Sequence, residues 1–224
     1  QLASQVLQKG LAQISKKDAS GSSYLDSVVN DLENQRKAGD VGSQITTNID
    51  KYLDLATRIL SNRLSSFEVI GSTKAMYDSA EQCYVDKIAN NQPPLDASET
   101  LAAQAKIATI HNSTAAGTGF YSVYTAVQAQ RDTSQETYDT VLSIKAQTTS
   151  AQSLQEVNAA ATAFKKISDP SNPDRLDERN VQKSLDDYNN LLTSTAPLRA
   201  EATTFMQQCQ AFPPPKKNTS NNNN

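Results

Sequence analysis

Apolar residues recur every three or four positions along most of this chain, which is the spacing of one face of an α-helix. The clearest apolar stripe runs from Ile45 to Leu64, and it continues less regularly to Ile88. No segment alternates convincingly with a period of two, so the pattern predicts no β-strand. The sequence therefore predicts an all-α fold.

Proline and glycine divide this pattern into about seven to nine predicted helical segments. Pro93-Pro94 predicts a firm loop, because two prolines in succession cannot continue a helix. Asp96 with Glu99 then predicts a capping box at the start of the next helix. Pro170 belongs to a second predicted loop, and Asn172-Pro173 predicts the helix start that follows it.

Two further features leave helix boundaries less certain. Gly39 and Gly42 predict a break, and Pro197 predicts a break or kink in the last helix. Residues 43–90 could form one helix or two. Ser65-Ser66-Phe67-Glu68 could cap a new helix. A single helix is also possible, because a glycine at position 71 would destabilise it by only about 1 kcal/mol relative to alanine.

The overall prediction is an elongated up-and-down bundle with a narrow core over residues 1–212. Apolar residues make up 37% of the chain, against roughly 45–50% for typical soluble domains when glycine is included. The bundle could divide into sub-bundles 1–92 and 95–212. Residues 213–224 are rich in proline and asparagine, and they predict a disordered tail.

The two cysteines, Cys83 and Cys209, lie on apolar stripes of two distant predicted helices. We expect them to form one disulfide, since a pair of cysteines in a secreted chain usually bonds together. In the chain-entropy model, closing so long a loop contributes roughly 4–5 kcal/mol to stability. The alternative is two buried free thiols in a cytosolic bundle.

Other sequence features favour secretion. Asn112-Ser113-Thr114 and Asn218-Thr219-Ser220 are candidate N-glycosylation sites, although such tripeptides also arise by chance in a chain rich in these residues. The chain begins within a helical pattern, as a mature protein would after removal of a signal peptide. An engineered or truncated start would look the same. No apolar run approaches the roughly 18 residues of a membrane span.

Little in the composition indicates an enzyme, a metal site or a cofactor. His111 is the only histidine, so a catalytic triad or a zinc site would have to rely on it. The acidic group at Asp174, Asp177 and Glu178 is explained by the preference of carboxylates for a first helical turn. The net charge of −3 is spread without a basic cluster, which argues against nucleic-acid binding.

Two features could serve binding. Residues 107–130 contain no Asp, Glu, Lys or Arg, which is typical of a central helix buried on several faces, or of a helix facing a membrane or ligand. Several tyrosines lie on or beside the apolar stripes, where they belong either to the core or to the lining of a ligand pocket. The candidates for such a lining are Tyr77, Tyr84, Tyr121, Tyr124 and Tyr138.

These observations predict a secreted, non-enzymatic helical binding protein. It would be either a carrier of small apolar ligands or an extracellular recognition or adhesion module that binds a protein partner. The alternative is a membrane-active helical protein that exchanges onto lipid surfaces or forms pores. A disulfide between distant helices would restrict the opening that such a role requires, so membrane contact is not favoured.

Overall fold

The computed structural model describes residues 21–90, 93–150 and 154–215, which form five helices and no β-strand. The helices are α1 (Gly21–Asn90), α2 (Ala97–Thr114), α3 (Gly119–Ser150), α4 (Leu154–Ser168) and α5 (Glu178–Gln210). The all-α prediction is confirmed. Of the predicted tail, residues 213–215 are irregular, and 216–224 lie outside the described residues together with Asn218.

The prediction of about seven to nine helical segments is wrong, mainly because α1 continues where breaks were expected. Gly39 and Gly42 lie inside α1. Each costs about 1 kcal/mol relative to alanine, but buried residues on both sides, Ala38 and Ile45, tie this part of the helix into a core. Tertiary burial outweighs the local preference.

Residues 43–90 belong to one helix. Ser66 does not cap a new helix, because its Oγ donates to the carbonyl oxygen of Asn62, one turn earlier, at 2.9 Å. A serine bonded in this way stays within a continuous helix. Gly71 is likewise accommodated in the helix interior.

The helix starts agree only in part with the sequence prediction. The capping box is confirmed, since the Asp96 carboxylate accepts from the backbone N–H of Glu99 and the Glu99 carboxylate accepts from that of Asp96, both at 2.8 Å. The start predicted at Asn172-Pro173 is wrong. Asn172 closes turns by hydrogen bonding, and α5 begins after Asp177, which accepts from the backbone N–H of Asn180. Pro197 lies inside α5.

The uncharged stretch 107–130 is not one central helix, as the sequence favoured. It comprises the end of α2, a break at residues 115–118 and the start of α3. Gly117 has a φ of 91°, a conformation that other residues rarely adopt, so the chain turns there. Ile110, Thr114, Phe120 and Val127 are buried, but Tyr121 and Val123 are 42% exposed.

The chain forms two compact units. Among the described residues, unit 1 comprises 21–54, 139–150 and 154–176, and unit 2 comprises 55–90, 93–138 and 177–215. In unit 1, Lys145 donates to Asp50 at 2.8 Å, and the Tyr52 ring packs edge-on against Phe164 with centroids 4.9 Å apart. The predicted single domain over 1–212, with its possible division at 92–95, stays a prediction.

Within unit 2, α1 and α5 run parallel. Arg58 pairs with Glu178 near one end and Cys83 with Cys209 near the other, and the sequence separations are similar, 120 and 126. The start of α3 packs against both helices. Arg63 of α1 donates to Gln130 of α3 at 3.1 Å and to Asp187 of α5 at 2.8 Å. The core cluster that supports the candidate site is instead formed by α1, α5 and α2, which contributes Ala103 and Ile110.

Candidate ligand-binding groove

The predicted disulfide is confirmed. Cys83 and Cys209 are bonded with an S–S distance of 2.04 Å and Cα atoms 6.2 Å apart, within the normal range for such bridges. Cys209 is fully buried and Cys83 is half-buried. The bridge joins α1 to α5 beside a core cluster that contains Tyr77, Tyr84 and Phe205.

The candidate tyrosines do not line one common pocket. Tyr77 and Tyr84 are each only 1% exposed and form part of the packed core. Tyr124 is half-buried, and its ring packs against Phe67 and Phe120. Phe120 also packs against Tyr77, so the structure connects Tyr77 and Tyr124 through one ring.

The other two candidates lie elsewhere. Tyr121 is exposed at the start of α3, whereas Tyr138 borders a surface depression between α1 and α3. That depression has a volume of about 400 Å³ and also contains Glu68 and Leu64. The five tyrosines thus lie in different environments. The sequence could not distinguish them, because all five lie on or beside apolar stripes.

Tyr77 has a polar partner within the core. Its hydroxyl donates to Oε2 of Glu201 at 2.6 Å. Burial, this hydrogen bond and the negative charge of Glu201 raise the pKa of Tyr77 well above its usual value, in that order of importance. Burial also raises the pKa of Tyr84. Both rings are therefore held in the folded core in their neutral form.

We expect Tyr77→Phe to change the pH dependence of stability. The raised pKa of Tyr77 means that its stabilising contribution is complete below its ordinary value of 10.0 and is lost as pH rises through the higher folded-state value. The variant should lose about 1 kcal/mol at neutral pH, for the missing hydrogen bond, and should lose less stability than the wild type above pH 10.

Urea unfolding on both sides of pH 10 measures this difference. Tyr121→Phe removes an exposed hydroxyl and is the matched control, which should keep the wild-type profile. An alkaline loss of stability equal in Tyr77→Phe and the wild type would contradict the assignment to Tyr77.

An apolar groove lies between α1 and α5 in unit 2, with a volume of about 320 Å³. Met76 and Met206, the two methionines of the chain, both contribute to it and both rest against the core cluster. The remaining lining side chains are small: Ser72, Ala75, Ser79, Ala202 and Thr203. Small residues keep the groove open, and the two thioether side chains form adaptable walls.

Two other depressions differ from this groove in charge. One of about 530 Å³ is lined by α1 residues alone and includes Asp86 and Lys87, and the one beside Tyr138 includes Glu68. The groove between α1 and α5 has no charged residue in its lining. Of these three depressions, it is therefore the one best suited to an apolar molecule.

Covalent and polar links between the two helices mark the ends of the groove. At one end, Nη1 of Arg199 donates to Oγ of Ser72 at 2.8 Å. Beyond the other end, four residues after Ser79 on α1 and three after Met206 on α5, lies the Cys83–Cys209 disulfide. At a rise of about 1.5 Å per residue, Ser72 and Cys83 are about 16 Å apart along α1. The distance between α1 and α5 is thus fixed by one link before the groove and one after it along the helices.

Sequence reasoning missed the groove residues. Met76 and Met206 lie on separate helices, and neither has a neighbour in sequence that indicates a site. One signal was available: once Cys83 is paired with Cys209, counting back along two parallel helices brings Met76 close to Ala202. Using it requires knowledge that the helices are parallel, which the sequence did not supply.

The remaining sequence candidates lie away from the groove lining. Asn112 is exposed on α2, so its side chain is open to solvent. His111 is exposed beside it, with Nδ1 3.5 Å from Oε1 of Glu81. Within residues 21–90, 93–150 and 154–215, no three His, Cys, Asp or Glu side chains group so as to hold a metal ion. None of the helices described has an eighteen-residue stretch apolar enough to cross a membrane.

Comparison of the chain with protein-family models, curated protein sequences and solved structures finds no match.

Proposed function

We propose that this chain is a secreted, non-enzymatic helical binding protein that carries a small apolar ligand in the groove between α1 and α5. The observation that carries the proposal is the position of both methionines in one uncharged groove that a disulfide borders. Its volume of about 320 Å³ lies at the lower end of the range for small-molecule sites. The ligand would be narrow, such as a single hydrocarbon chain.

The chemistry of the lining suits such a ligand. Each methylene buried against apolar side chains contributes about 0.8 kcal/mol, before the cost of immobilising the ligand is subtracted. Flexible methionines adapt to chains of different shape, as they do at other promiscuous binding surfaces. The core cluster beneath the groove, which includes Tyr77, is tightly packed. It therefore supports the methionines, and the ligand would bind in the surface groove above it.

Two observations support secretion as part of this proposal. Structural disulfides persist in oxidising compartments and are rare in the cytosol. Asn112, in the first sequon, is exposed and could carry a glycan without displacing core residues. Non-reducing peptide mapping of the native protein would test the first of them, because free thiols at Cys83 and Cys209 would contradict an extracellular location.

An extracellular recognition or adhesion module remains the alternative within the same class, and a membrane-active protein lies outside it. The membrane-active role has less support, because opening α1 from α5 would require breaking the disulfide or the Arg63–Asp187 pair. Leakage of liposomes caused by the oxidised protein would favour it over a carrier.

We expect a groove-filling substitution to weaken ligand binding. Ala75→Phe places a ring in the groove, whereas Ala126→Phe adds the same ring at an exposed position of α3 outside it. Nile red, an uncharged apolar dye, should bind the wild type and the Ala126→Phe control alike. Its affinity for Ala75→Phe should be lower by at least about tenfold, equivalent to 1.4 kcal/mol or two lost methylene contacts.

Fluorescence titration with oxidised protein measures these affinities, and mass spectrometry of organic extracts identifies material that co-purifies with the native protein. Equal binding by the two phenylalanine variants would contradict the groove as the site. A wild type that neither binds Nile red nor carries a lipid would contradict the carrier role and favour recognition of a protein partner.

A further inference from the structure

Arg199 at the end of the groove has an unusual environment. The charged partners of other arginines are clear: Arg58 pairs with Glu178, Arg63 with Asp187 and Arg131 with Asp132. Within the described ranges, no carboxylate forms an ion pair with Arg199, whose guanidinium donates to the neutral hydroxyl of Ser72. A half-buried cation thus lies beside an uncharged groove.

The register of α5 places Arg199 on the groove face. Ala202, Thr203 and Met206 follow it at the third, fourth and seventh positions, which is the spacing of one helix face. Ser72, its hydrogen-bond partner, is itself a lining residue. The nearest acidic residue along α5, Glu201, accepts the hydrogen bond of Tyr77 instead.

We propose that Arg199 binds the carboxylate of a single-chain fatty acid whose hydrocarbon chain lies in the groove and points toward the disulfide. This inference rests on the proposed carrier function and adds the chemical class of the ligand. A guanidinium has five N–H donors in a planar arrangement that matches a carboxylate. One of them is used by Ser72, which leaves others to receive the ligand.

The dimensions favour one chain and one anionic group. A groove of about 320 Å³ holds a single hydrocarbon chain rather than the two chains of a phospholipid. Along α1 the lining residues run from Ser72 to Ser79, about 10 Å, and Cys83 lies one turn further, about 16 Å from Ser72. A saturated chain of medium length such as that of laurate would therefore fill the lined part and extend past it toward the disulfide. Laurate and lauryl alcohol share this chain and differ in the charged group, so they separate the contribution of Arg199 from that of the groove.

Isothermal titration calorimetry of the full oxidised chain with laurate and with lauryl alcohol tests the assignment. The wild type should prefer laurate by about tenfold, the typical contribution of a charge-assisted hydrogen bond. Arg199→Gln should remove this preference and leave lauryl alcohol binding unchanged. Arg199→Lys, which keeps the positive charge, should retain part of it.

Ser72→Ala controls for the loss of the Arg199–Ser72 bond, because it removes that bond and leaves the cation in place. Because Ser72 also lines the groove, this variant should change the affinities for laurate and lauryl alcohol by the same factor and so keep the preference for laurate. A circular-dichroism melt of each variant confirms that the helices are intact, and Arg199→Lys provides the comparison if Arg199→Gln does not fold.

The outcomes separate the two proposals. If the wild type binds both ligands equally, or if Arg199→Gln keeps the preference for laurate, the role of Arg199 is wrong and the carrier function stands. If neither ligand binds the wild type, the carrier function fails and the fatty-acid assignment fails with it. Tighter binding of lauryl phosphate than of laurate would overturn the carboxylate as the preferred head group.

Discussion

Replacing both cysteines with alanine should lower the free energy of unfolding by about 4–5 kcal/mol, the largest effect that we expect for any change to this chain. The Cys83–Cys209 bridge spans a sequence separation of 126 residues, so its removal greatly increases the conformational freedom of the unfolded chain. Urea unfolding of the wild type and the Cys83→Ala/Cys209→Ala variant at equal protein concentration measures the difference.

Reduction of the wild type provides the matched control. A reducing agent should lower its stability to nearly that of the double variant, and the same agent should leave the double variant unchanged. A loss below about 1 kcal/mol in the double variant would show that the unfolded chain keeps positions 83 and 209 close without the bridge. Nile red binding should weaken in both cases, since the bridge holds the spacing of α1 and α5 at the groove.

The second large effect concerns the buried cation Arg63. Its residue is 8% exposed, and its Nη1 donates to Asp187 at 2.8 Å and to Gln130 at 3.1 Å. Asp187→Ala removes the charged partner of Arg63, so the buried guanidinium keeps only its hydrogen bond to the neutral side chain of Gln130. We expect a loss of about 2–4 kcal/mol, slightly below that for a fully buried pair, because the Asp187 side chain is 35% exposed.

Two comparisons test this explanation by urea unfolding. Asp186→Ala removes the adjacent exposed carboxylate and should change stability by no more than about 0.5 kcal/mol. Arg63→Met should lower the free energy of unfolding by less than Asp187→Ala does. In that variant the Asp187 carboxylate is still partly exposed to solvent, and the ammonium of Lys183 lies 3.8 Å away. Equal losses in Asp187→Ala and Arg63→Met would contradict an uncompensated buried charge as the cause.

The structural features that depend on neighbouring residues in the sequence were predicted best. The spacing of apolar residues predicts helices, and Asp96 with Glu99 predicts the start of α2, because both depend on residues within one or two turns. The disulfide was also predicted, since the chain has only two cysteines and they can bond only with each other within one molecule.

The number of helices was predicted less well, because helix breaks depend on competing energies from distant residues. A glycine costs about 1 kcal/mol wherever it lies in a helix, but burial of Ala38 and Ile45 against other helices decides whether α1 tolerates Gly39 and Gly42. The start of α5 depended similarly on turns around Asn172 that a proline pattern does not reveal.

The sequence by itself determined the helical class, the cap at Asp96 and the identity of the bonded cysteines, since these follow from short-range spacing and from covalent chemistry. The tertiary structure alone decided that Tyr77 belongs to the core, that Met76 and Met206 share a groove and that Arg199 lies at its end. Those relationships arise from the parallel register of α1 and α5. Residues more than one hundred positions apart meet there, and no local pattern specifies which of them do.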